Sequence, residues 1–90
     1  MNKWWEWALD IEQKAKRSKS LLENEWFMKT MQNLREQQMN VFANSAATEV
    51  EKRENAHSMI LALNAIQREL QADIDALTLI KGKGKHRGND

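Results

Sequence analysis

Ninety residues carry 14 Lys and Arg against 13 Asp and Glu, a formal charge of +1, so no global field draws the chain toward nucleic acid or an acidic substrate. With no Cys, neither disulfides nor thiolate metal sites can reinforce a domain that buries only about 60–65% of its unfolded surface even when compact. Hydrophobic residues at 41%, charged residues at 30%, no Pro and three Gly, all near the C-terminus, point to an all-α globular chain.

The first predicted helix covers about 3–18. Trp4, Trp7, Ala8, Ile11 and Ala15 share one face, and Lys14, Lys16 and Arg17 suit the negative end of the helix dipole. Glu6, Asp10 and Glu12 interrupt any signal-peptide core, and no run of about 20 apolar residues offers a membrane span. The expected location is therefore the cytoplasm. Ser18-Lys19-Ser20 reads as a break, with Ser20 and Glu23 spaced as a capping box, although neither Ser nor Lys forbids a helix running through it.

The second predicted helix runs over about 21–43. Its apolar face is Phe27, Met31, Leu34, Val41 and Phe42, with Gln38 in the same stripe as a register-setting or edge residue. Asn44-Ser45-Ala46-Ala47 is the expected turn, and Thr48 with Glu51 suggests a capping box opening the third helix, about 48–80. That helix carries Ala56, Met59, Ile60, Leu63, Ile66, Leu70, Ile74 and Leu77 at intervals of mostly three and four. So short a loop makes the second and third helices antiparallel neighbours. Phe27, Met31, Leu34, Ile60, Leu63, Ile66 and Leu70 are expected to hold this hairpin.

The third helix outruns the second. Beyond about Leu70, its apolar residues need the first helix, a second subunit or another protein to cover them. Trp4, Trp5, Trp7, Ile11, Ile74 and Leu77 are accordingly the expected protein interface. The arrangement is three helices in an oligomeric bundle, with the chain itself or another helical protein as partner. If residues 18–20 stay helical, these surfaces are expected to meet between subunits rather than within one.

Gly82 and Gly84 are expected to end the third helix, leaving 81–90 as a flexible basic tail. Lys81, Lys83, Lys85 and Arg87 offer a salt-sensitive phosphate contact, without the interleaved aromatics that stack on bases. The three N-terminal Trp residues offer a peripheral membrane anchor, against which the neighbouring acidic residues would repel anionic lipid.

No catalytic, metal or cofactor-binding set is discernible. His57 and His86 lie far apart, Glu51, Glu54, Glu69 and Asp73 read as solvated carboxylates, and neither a Gly-rich phosphate loop nor a nucleophile elbow is present. Glu49 and Glu51 in the leading turn of the third helix disfavour a helix-turn-helix DNA reader. A non-enzymatic protein is expected.

The run Ser20-Leu21-Leu22-Glu23-Asn24-Glu25-Trp26-Phe27, followed by a helix, a short Ala/Asn/Thr-rich turn, Glu51-Lys52-Arg53-Glu54, then Leu61-Ala62-Leu63-Asn64-Ala65-Ile66 and Leu70, resembles small helical-hairpin proteins of tailed bacteriophages encoded among virion-structure genes. The resemblance covers about 20–72 and leaves out the Trp-rich start and the basic end. It implies a phage structural or assembly component, present in the bacterial host cytoplasm or the virion.

Overall fold

The computed structural model describes residues 4–88, with side-chain surroundings defined over 5–82. Three helices form the described fold: α1 (Trp4–Glu23), α2 (Glu25–Asn44) and α3 (Val50–Gly88). At 1.5 Å per residue the 39-residue α3 is about 58 Å long, which accounts for the 61 Å long axis of the molecule. Both shorter helices pack on α3 and touch each other only slightly. Contacts from α1 fall progressively earlier in α3 as α1 advances, and α2 returns along α3 as a hairpin, so both run antiparallel to it.

The break between α1 and α2 falls at Asn24 rather than at 18–20. Asn24 is extended (φ −76°, ψ 113°), and its side-chain oxygen accepts the Phe27 amide at 2.8 Å. This satisfies a donor that a helix start otherwise leaves unpaired. Ser20 and Glu23 therefore lie inside α1 and form no capping box for α2. Ser18 has a stronger reason to remain helical: it is only 3% exposed and faces α3. Although 18–20 stays helical, α1 still covers the rear of α3 within the same chain. A single extended residue at position 24 suffices for that geometry.

The second break also differs in detail. Ser45 ends α2, with its amide directed to the Phe42 carbonyl, and α3 opens at Val50, one residue later than the Thr48–Glu51 box implies. Glu49 reaches back instead, its carboxylate accepting the Ala46 amide at 2.8 Å. That bond, and secondarily the nearby Lys52 ammonium, hold the Glu49 carboxyl below its ordinary pKa of 4.5. At the other end α3 continues through Gly88, so the helix end expected at Gly82 is absent. Glycine in a helix costs about 1 kcal/mol relative to Ala and does not forbid continuation. Residues 89 and 90 of the expected tail lie outside the described residues.

The inward side chains follow one rule throughout. On α3 they are Arg53, Ala56, Ile60, Leu63, Gln67, Leu70, Ile74 and Leu77, alternating three and four residues apart; on α1 they are Ala8, Ile11, Ala15, Ser18 and Leu22. Such spacing keeps one edge of each helix on its neighbour. Ala15, Met31, Ala56 and Leu63 are the buried hydrophobic residues, and small side chains at Ala15, Ser18 and Ala56 let the backbones approach closely.

This periodicity corrects part of the expected hairpin core. Met31 and Leu63 are buried and Phe27, Ile60 and Leu70 half-buried, but Leu34 and Ile66 are exposed. Ile66 and Met59 sit one position off the inward edge of α3, which turns them to its flank.

Candidate partner-binding surface

A rod two helices thick leaves both flanks of each pair open to solvent. On one flank of α2–α3 the Phe42 and His57 rings lie 6.4 Å apart, and the Arg53 guanidinium sits 5.9 Å from the Phe42 ring centre. Two turns along, Arg35 donates to Asn64 at 3.2 Å, to Gln67 at 2.9 Å and to Gln32 at 2.8 Å. The Arg35 node ties the two helices with polar bonds, a role the sequence reading gave to half-buried Gln38. Met39, Phe42, Ala43, His57 and Ile60 line an almost wholly apolar hollow on this flank.

The opposite flank follows from the same geometry. Arg35 and Phe42 of α2 face Asn64 and His57 of α3, so the residues across the inward edge, Leu34 and Val41 on α2 with Met59 and Ile66 on α3, share the other side. Leu34 is 38% exposed, Met59 48% and Ile66 46%. The α2 edge reads Phe27, Thr30, Leu34, Gln37, Val41 and the α3 edge Asn55, Met59, Ala62, Ile66, without one charged residue on either. All four charged residues of α2, namely Glu25, Lys29, Arg35 and Glu36, lie elsewhere on the helix.

The same α3 edge continues rearward through Glu69, Asp73, Ala76 and Ile80, where α1 takes over its cover. Ser18 donates to Asp73 at 2.7 Å, and Ala76 and Ile80 are half-buried. Asp73 is thus an interhelical acceptor rather than a solvated carboxylate. One edge of α3 is covered at the rear and bare at the front.

The interface residues expected from sequence divide accordingly. Ile11, Ile74 and Leu77 are half-buried where α1 meets α3, and Ile74 and Leu77 line a groove there with Glu12, Ala15 and Lys19. They are covered within the chain rather than left bare for a second subunit. Trp5 and Trp7 are exposed at the start of α1, Trp5 sharing an edge with exposed Leu9 one turn on. The side chain of Trp4 lies outside the described residues.

Of the four expected phosphate contacts, Lys81 is exposed, while the side chains of Lys83, Lys85 and Arg87 lie outside the described residues. Sequence reasoning passed over Trp26, the most exposed large hydrophobic side chain among the described residues, with the Lys29 ammonium 5.1 Å above its ring. Its place off the alternating three-and-four pattern was the available signal.

Among the described residues no helix is long and apolar enough to cross a membrane, and no cluster of His, Cys, Asp or Glu is placed to hold a metal ion. The ion pairs found there, including Asp10–Lys14, Glu12–Lys16 and Glu25–Lys29, are exposed and join residues of one helix or its first turn. Exposed pairs of this kind contribute little to stability. No protein-family model, curated protein or solved structure matches this chain.

Proposed function

We propose that this chain is a non-enzymatic helical interaction protein acting in the assembly or the particle of a tailed bacteriophage. The observation that carries the reading is the uncharged apolar flank of α2–α3, with Leu34, Met59 and Ile66 each more than a third exposed. Three such residues on one face of a rod, beside a well-ordered inward edge, are the kind of surface proteins keep for other proteins. The phage assignment rests on the resemblance over about 20–72. Helix-lined grooves are the partners such a face accommodates, through side chains repeated every three and four residues.

Deleting the gene from its genome tests the reading. Absent or malformed particles by electron microscopy, with genome replication unimpaired, are expected. Normal particles at normal yield overturn it.

A further inference from the structure

We infer that a second copy of this chain covers the Leu34–Val41–Met59–Ile66 flank, antiparallel to the first, about a two-fold axis passing beside Ala62. This deepens the proposed function by naming the partner of that surface, and it rests on reading the flank as a binding face.

The surface area supplies the first argument. The chain exposes 7361 Å², whereas a compact protein of its 10.5 kDa exposes about 5,400 Å². The radius of gyration is 19.0 Å against about 12 Å for a compact domain of this length. The surplus of roughly 1,900 Å² over the compact expectation exceeds the area of about 800 Å² that each partner of a stable dimer removes from water.

Charge points to the identity and direction of the occupant. Partner choice between unlike helices is commonly written in charged residues flanking the seam. Here both edges, 27–41 on α2 and 55–66 on α3, are free of charge, so nothing on the face repels an identical copy or selects an oppositely charged stranger. Direction follows from α3, whose final turns gather Lys81, Lys83, Lys85 and Arg87 at one end of the rod. Parallel copies would set these cationic ends side by side. Antiparallel copies overlapping through their hairpin halves hold them apart at opposite ends.

Residue size fixes the register. Asn55, Met59, Ala62 and Ile66 place one small residue between two large ones. An antiparallel copy centred on Ala62 sets Met59 against Ile66 of its mate on both sides of the axis, with Ala62 meeting Ala62 where the helices come closest. The overlap ends naturally near Asp73, where Ser18 of α1 already occupies the edge.

The absence of Cys makes the decisive experiment simple. Helices packed about 8–10 Å apart bring facing Cα atoms on the axis to about 4–5 Å, within reach of a disulfide. Full-length Ala62→Cys is expected to form a disulfide-linked dimer under mild oxidation. Leu61→Cys, turned about 100° away on α3, is expected not to do so. Light scattering should give twice the chain mass for the native protein at micromolar concentration. Met59→Glu and Ile66→Glu, both at exposed positions, should each weaken self-association at least tenfold while leaving helical circular dichroism unchanged. A native chain of single mass at every concentration overturns the inference, as does a dimer that survives both glutamates and does not cross-link through position 62. Either result leaves the phage-assembly reading to the gene-deletion phenotype, so the two fail separately.

Discussion

Ser18 and Asp73, 55 residues apart, meet through a 2.7 Å hydrogen bond at the point where α1 seats on α3. Ser18 is almost fully buried and the bond gives its hydroxyl a partner there, while its small size lets α1 lie close to the spine. A polar pair inside a seam selects one register, because sliding α1 by a turn would strand a hydroxyl and a carboxylate together.

Ser18→Ala is therefore expected to destabilise the fold by about 1–2 kcal/mol, chiefly by leaving the Asp73 carboxylate without its donor. Replacing both partners, Ser18→Ala with Asp73→Leu, should recover part of that loss. Urea unfolding of the two single variants and the double variant measures the coupling, and additive losses would remove the pair from the seam.

The inward edge and the flank of α3 should respond differently to truncation. Leu63→Ala, at a buried position, should cost about 2–4 kcal/mol. Met59→Ala, measured on dilute protein, should cost less than about 1 kcal/mol because that side chain is half in water. Ala56→Leu should cost about 1–3 kcal/mol by overpacking a position that is 1% exposed. Equal losses at Met59 and Leu63 would mean that the edge has been misplaced.

At the α1–α2 junction, Asn24→Ala should lose about 1 kcal/mol with its cap, whereas Asn24→Asp should keep most of it. Thermal unfolding monitored at 222 nm distinguishes them. Equal melting temperatures for the native chain and Asn24→Ala would show that the cap contributes nothing.

Glu49 gives the hairpin turn a pH dependence of defined sign. Its folded pKa lies below the ordinary 4.5 because the Ala46 amide donates to the carboxylate and Lys52 lies near. The stabilisation is therefore fully present above the ordinary value and is lost as pH falls through the folded one. Glu49→Gln should lower the melting temperature near neutrality and narrow the gap to the native chain toward pH 3. A gap that stays constant from pH 6 to pH 3 would rule the linkage out.

Sequence alone made helical class, the number of helices and the antiparallel hairpin legible, because the chain has no Pro, Gly occurs only from position 82 onward and the apolar spacing is regular. It misplaced the first break because Ser18-Lys19-Ser20 looks like a cap when its burial is unknown, while Asn24 announces itself only through its bond to Phe27. It also merged two edges of α3 into one stripe. Met59 and Ile66 match the helical period as well as Ile60 and Leu63 do, and only the position of α2 separates inward from flanking. Arg35 was passed over because its value lies in Asn64 and Gln67, about 30 residues away, and local spacing carries no trace of that meeting.

Because α1 and α2 each rest on α3 and barely on one another, the molecule behaves as two leaves hinged to a single beam. The leaf nearer in sequence closes over a short loop at little entropic expense, whereas the other must bring Ser18 to Asp73 across a far larger ring. Amide exchange should then run faster throughout α1 than in α2, with residues 70–80 of the beam exchanging in step with the leaf that shelters them.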